Sequence, residues 1–167
     1  NSARWRSSCA DRAAAAGARA LTHLGNGIPN QIDRHRNAIW SGLACDALSA
    51  MIITDGHHLP PEVIKCFLRC KGIDKVIVTS DASPGAGLPP GRYHLLGNDV
   101  VIEPDGKLHN PAKGCLAGSA STMRECMQYL ASLGWLSADE LHQVGYANAV
   151  RLLREARKNQ TIAGNNR

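Results

Sequence analysis

An α/β fold built on a buried parallel sheet is what this sequence predicts, and three observations lead to it. The apolar runs at 48–54 and 75–79 are continuous rather than alternating, so they read as strands covered on both faces. Between them Val63, Ile64, Phe67 and Leu68 recur at helical spacing behind Pro60 and Pro61, which suit a helix's first turn. The resulting order is strand, connection, strand, helix, strand, the pattern of a sheet with helical crossovers.

The remaining elements follow in order. Residues 10–19 are Ala-rich and favour a helix that closes at Gly17. Ala18 to Leu24 reads as a short strand ending in the turn Gly25-Asn26-Gly27. The runs 91–96 and 99–103 flank Gly97-Asn98 and predict a small β-hairpin insert. Residues 114–119 open a helix with Met123, Met127 and Leu130 on one face. Ser137 with Glu140 reads as a capping box, and Leu136 with Leu141 as its staple. The segment 1–17 is an irregular opening with a helix, 18–153 is the α/β unit, and 154–167 is a polar tail expected to fray.

Composition narrows the function classes. With 167 residues, 44% hydrophobic and 20% charged, the chain suits one globular unit. No apolar run is long enough for a membrane span or a signal peptide. The net charge of +5 sits in short clusters, Arg34 to Arg36 and Arg151 to Lys158, with a single Phe in the chain. A nucleic-acid binder would gather such charge into a stripe, so a solvated surface and no nucleic-acid partner are expected. The six cysteines include no C-x2-C module. Cys66 and Cys70 are expected to pack, and reduced thiols in a cytoplasmic protein follow. His94, His109 and His142 read as surface or turn residues, Met123 and Met127 as core, and Trp5, Trp40 and Trp135 as packing at element ends.

Three consecutive strands end in ligand-capable residues: His23, then Asp55 with His58, then Asp81. In an α/β barrel such ends face a common mouth where side chains converge. An Asp directly after an apolar strand is costly to bury unless it is paired, hydrogen-bonded or metal-bound.

The residues themselves carry a family resemblance. Thr22-His23-Leu24-Gly25-Asn26-Gly27-Ile28 resembles the T-H-L-[FY]-N-A-M stretch of N-acetylglucosamine-6-phosphate deacetylases. Asp55-Gly56-His57-His58 resembles their D-G-x-H, and Thr79-Ser80-Asp81-Ala82 with Ala86-Gly87 their V-T-D-A…A-G. Leu116-Ala117-Gly118-Ser119-Ala120-Ser121-Thr122-Met123 is similar to their L-[AS]-G-S-x-L-T-M. The four motifs keep the family's order over residues 18–153.

The resemblance implies a partial (β/α)8 barrel of the metal-dependent amidohydrolase type, here its C-terminal half. It implies hydrolysis of the acetamide of N-acetylglucosamine 6-phosphate. His23 would be a ligand of a divalent metal, Zn²⁺ or a similar ion, and Asp81 the catalytic carboxylate. Asn26, Gly27, His58, Arg34 and Leu116 would bind the amino-sugar phosphate. A homodimer is implied for the full-length protein. Three departures stand out: Gly25 replaces the family's aromatic, Arg34-His35-Arg36-Asn37 replaces R-E-P-G, and Asn148-Ala149-Val150 replaces N-P-A. Either Arg34 or Arg36 could take the phosphate-binding place. An intact barrel needs roughly 250 residues, and the family's other metal ligands come from earlier strands. The chain is therefore expected to be incomplete and inactive by itself. A related sugar amidohydrolase with another substrate, or an inactive binding remnant, are the alternatives.

Overall fold

A computed structural model describes residues 8–164, with side chains through residue 157. Residues 1–7, Trp5 among them, and 165–167 lie outside the described residues.

The chain opens with helix α1 (Cys9–Ala15), started by a reciprocal capping box between Ser8 and Asp11 and stopped by Gly17 at φ 105°. Strand β1 is only Ala20–Leu21, far shorter than the run 18–24, because the backbone turns at His23, whose φ is 28°. Helix α2 (Ala38–Ala44) lies in what reads as a plain connection. Its signal is Asn37, whose side-chain oxygen accepts from the N–H groups of Ile39 and Trp40. Strand β2 (Ser49–Ile53), helix α3 (Pro61–Lys71) and strand β3 (Val76–Thr79) fall within two residues of the sequence expectation.

These strands form one parallel sheet in the order β1-β2-β3, with Leu21 opposite Ala50 and Ile53 opposite Thr79. Ala50, Ile52, Val76 and Val78 share a core with Ile64, Phe67 and Leu68 of α3 and with Cys126 and Leu130 of helix α4 (Met123–Ser132). Ile53 and Ile77, which point to the opposite face, are also buried. Burial on both faces is what the continuous apolar runs required, at about 1.5–3 kcal/mol per large aliphatic side chain.

The free edge of β3 is closed by a side chain. After helix α5 (Ala138–His142) comes a π-helical turn, Gln143–Ala147, and then helix α6 (Asn148–Gly164). Asn148 is 1% exposed and donates its amide to the carbonyls of Val76 and Ile73, each at 2.7 Å. Gln143 donates to its carbonyl oxygen. The helix continues well past Leu153, where the sequence turns polar.

The insert is larger than a hairpin. Strands β4 (Gly91–Leu95), β5 (Asn98–Ile102), β6 (Leu108–Asn110) and β7 (Cys115–Leu116) make an antiparallel sheet over Val100, Ile102 and Leu108. Its first turn is Leu96-Gly97, one residue earlier than Gly97-Asn98; both residues take positive φ, as a two-residue hairpin loop demands.

Two packing expectations are corrected. Cys66 and Cys70 are exposed, because α3 turns Ile64, Phe67 and Leu68 to the core instead. Trp40 is 54% exposed and is held by its ring N–H, which donates to the Arg34 carbonyl. Among the described residues no helix is long and apolar enough to cross a membrane.

Candidate functional site

The sheet builds the site by register. His23, Asp55 and Asp81 each stand two residues beyond the last paired residue of their strand, Leu21, Ile53 and Thr79. Continuing the pairing of Ile53 with Thr79 sets Asp55 level with Asp81, and continuing Leu21 with Ala50 sets His23 level with Ile52. His23 therefore lies about three residues, or roughly 10 Å, deeper along the strand direction.

The first strand end is a tight turn. The His23 carbonyl accepts from the Asn26 N–H at 2.9 Å, and the Leu24 N–H is donated to Met51 at 2.8 Å. A positive φ is uncommon for a residue with a side chain and stores strain at His23. Gly27 lies against the ring, since a Cβ there would stand 3.0 Å from His23 Cε1. Two buried polar atoms of this turn have no partner: His23 Nδ1 and Asn26 Nδ2. Burying a polar atom unpaired costs about 1–3 kcal/mol, which marks this turn as a candidate ligand site.

At the second strand end both oxygens of the Asp55 carboxylate are satisfied. Asp55 Oδ1 accepts from the backbone N–H groups of His57 and His58, both at 2.9 Å. Its Oδ2 accepts from His58 Nδ1 at 2.7 Å and from Ser119 Oγ at 3.0 Å. The two side chains are 2% and 6% exposed for Asp55 and His58. Burial would raise the Asp55 pKa, but the His58 ring and the two backbone N–H groups outweigh it and hold the carboxyl far below the usual range. Burial, with Asp55 nearby, pushes the neighbouring Cys126 thiol up to about 11.

At the third strand end Asp81 also takes a positive φ, 49°, and its carboxylate is exposed. Its carbonyl accepts from the Ser119 N–H at 3.0 Å, while Ser119's carbonyl accepts from Ser83 at 2.9 Å. Ser119 is thus bonded to both neighbouring strand ends. Asp81 borders a cleft of about 320 Å³ lined also by Leu95, Ala117 and Gly118.

The other sequence candidates lie further out. Arg34 and Arg36 are both exposed in a loop braced by Asp33, whose carboxylate accepts from the N–H groups of His35 and Arg36. Leu116 is half-buried on β7 opposite His109, and its successors Ala117 and Gly118 reach the cleft beside Asp81. Ser119 carries no strand-end signal in the sequence; its one mark is a small polar residue at the Gly118-Ser119 step of the Leu116 to Met123 motif.

Among the described residues no group of three His, Cys, Asp or Glu could hold a metal ion. The divalent metal implied by the resemblance finds one fitting donor, the unpartnered ring of His23, and not a complete set; catalytic zinc takes three protein ligands.

No protein-family model matches the chain. It is 30% identical over 148 residues to an N-acetylglucosamine-6-phosphate deacetylase of Lysinibacillus sphaericus, covering 89% of this chain and 38% of that protein. It is 28% identical over 138 residues to an N-acetylgalactosamine-6-phosphate deacetylase of Escherichia coli O157:H7, covering 83% of this chain and 36% of that protein. The crystal structure of N-acetylglucosamine-6-phosphate deacetylase from Thermotoga maritima superposes with a TM-score of 0.77 at 26% identity, over 87% of this chain and 39% of that one. The chain is similar in sequence and fold to the N-acetylglucosamine-6-phosphate deacetylases. It spans less than two fifths of the length of these relatives.

One departure from the deacetylase pattern has a packing reason. Gly25 takes φ 90°, and a Cβ there would meet Leu59 at 3.1 Å and the Phe67 ring at 3.2 Å. Phe67 of α3 fills the space beside this position, and an aromatic at Gly25 would collide with it.

Proposed function

We propose that this chain furnishes the later part of a deacetylase barrel, which hydrolyses the acetamide of an N-acetylated amino-sugar 6-phosphate to the free amine and acetate. The observation that carries the reading is the set of adjoining strand ends, each placing a ligand-capable side chain two residues past its ladder. Deacetylase relatives of like fold support it.

Asp81 is the proton carrier in this reading. Its carboxylate is exposed and makes no hydrogen bond with a described residue. It takes a proton from water as oxygen adds to the acetamide carbon, and returns it to nitrogen as the C–N bond breaks. A divalent ion, Zn²⁺ or similar, would supply Lewis acidity when bound. His23 would be one ligand, with the remaining ligands contributed from outside residues 1–167. Asn26, Gly27 and His58 hold the sugar phosphate, Arg34 adds charge to the phosphate, and Leu116 with its neighbours walls the sugar. The full-length protein would be a cytoplasmic homodimer.

The galactosamine-type relative favours a second reading in which the substrate is the C4 epimer. Acetate release from both epimers by the full-length protein tests the proposal. Release from one or both is expected, and release from neither with any divalent metal would sink it.

A further inference from the structure

The buried triad of His58, Asp55 and Ser119 does more than fill space. His58 Nδ1 lies 2.7 Å from Asp55 Oδ2, an ionised carboxylate that can only accept, so the ring proton of neutral His58 sits on Nδ1. His58 Nε2 makes no hydrogen bond with any described residue. Asp55 itself cannot turn, because Oδ1 is tied to two backbone N–H groups and Oδ2 also to Ser119. Ser119 Oγ in turn accepts from the Ser121 N–H at 3.0 Å, which leaves its own proton directed at Asp55.

We infer that Asp55 is a positioning residue, which fixes His58 in the Nδ1–H tautomer and reserves Nε2 as the one ring atom offered to a ligand. Ser119 joins this pair to the backbone of Asp81, so the ligand-holding ring and the proton-carrying carboxylate are set from one node. With the ring proton on Nδ1, Nε2 is the atom that accepts from a sugar hydroxyl. The inference deepens the deacetylase reading, on which the ligand's identity rests.

The test is ¹⁵N NMR of histidine-labelled full-length protein together with steady-state kinetics, on wild type, Asp55→Asn and Ser119→Ala. Asp55→Asn keeps an oxygen for the two backbone N–H groups but turns an amide donor towards His58 Nδ1. Neutral His58 should carry its proton on Nδ1 in the wild type and in Ser119→Ala, and on Nε2 in Asp55→Asn. KM for N-acetylglucosamine 6-phosphate should rise about tenfold in Asp55→Asn, with kcat changed less. A purely structural role would instead lower kcat with the folded fraction and leave KM alone. An Nε2–H tautomer in the wild type overturns the inference, as does one tautomer shared by wild type and Asp55→Asn. Should Asp55→Asn not fold, the wild-type and Ser119→Ala spectra still decide: Nδ1–H in both supports it, Nε2–H in either overturns it. A tautomer exchange seen in a protein that turns over no amino-sugar phosphate supports the positioning role and sinks the deacetylase reading alone.

Discussion

Gly27 abuts the Cε1 edge of the His23 imidazole: a Cβ at Gly27 would stand 3.0 Å from His23 Cε1 and 3.7 Å from Nδ1, the nitrogen without a partner. With Gly27 at φ 68°, backbone conformation and clearance both call for glycine. Gly27→Ala should therefore lose about 1 kcal/mol of stability from the left-handed backbone and push the ring by a few tenths of an ångström. Thermal melting reads the first effect. The second should appear as weaker divalent-ion binding in the full-length protein, measured by calorimetry. Unchanged ion affinity would separate His23 from the metal.

Asn148 gives a second prediction, about the edge of the sheet. Its amide satisfies the carbonyls of Ile73 and Val76 with almost no access to water. Asn148→Ala removes the donor to both carbonyls and leaves the buried Val76 acceptor without it, so it should cost about 1–3 kcal/mol in urea unfolding, the range for one buried polar group left unpaired. Asn148→Asp should be worse, since a carboxylate cannot donate and would face two carbonyl oxygens. A loss under about 0.5 kcal/mol, the usual range for a surface site, would show that water or another group closes this edge.

Much of this architecture was legible in the residues, and the failures have physical causes. The runs 48–54 and 75–79 announced β2 and β3 because strands buried on both faces have no polar positions to blur them. The proline pair and the spacing of Ile64, Phe67 and Leu68 announced α3. Strand β1 misled because the stretch 18–24 is apolar enough for a strand, yet His23 leaves the extended region to make its turn. The insert was under-read since β6 and β7 are three and two residues long and carry no periodicity. At the site, the strand-end pattern pointed to His23, Asp55, His58 and Asp81. What it could not show was the link through Ser119, 64 residues from Asp55 in sequence, which exists only after the antiparallel sheet docks.

Asp55 makes a pH prediction. Its carboxyl binds a proton less readily folded than unfolded, so in the window below its ordinary value of 3.8 the unfolded chain holds more protons and stability rises with pH. This contribution is complete above that window and is lost as pH falls through it. The urea midpoint of the wild type should drop from about pH 4 downward, and that of Asp55→Asn should drop less. Parallel curves for the two proteins would remove Asp55 from the acid transition.

The cysteines divide by burial. Cys9, Cys66, Cys70 and Cys115 are exposed, whereas Cys45 and Cys126 are buried, the latter with its thiol pushed up to about 11. At pH 8 four thiols should react quickly with a disulfide reagent and two only after denaturant is added, because the thiolate is the reactive form. Mass mapping that finds Cys126 among the fast thiols would contradict the packing of α4 on the sheet.

Amide hydrolysis with Asp81 as proton carrier is the chemistry proposed for these strand ends. It is tested most directly by acetate release from N-acetylglucosamine 6-phosphate and its galactosamine epimer, using full-length protein supplied with divalent metal. The account predicts acetate and free amine in equal amounts from the wild type. It predicts a loss of at least about a hundredfold in Asp81→Asn, the low end of what general acid–base catalysis contributes, with the fold kept. Equal turnover by wild type and Asp81→Asn, or no acetate from either sugar, would contradict it.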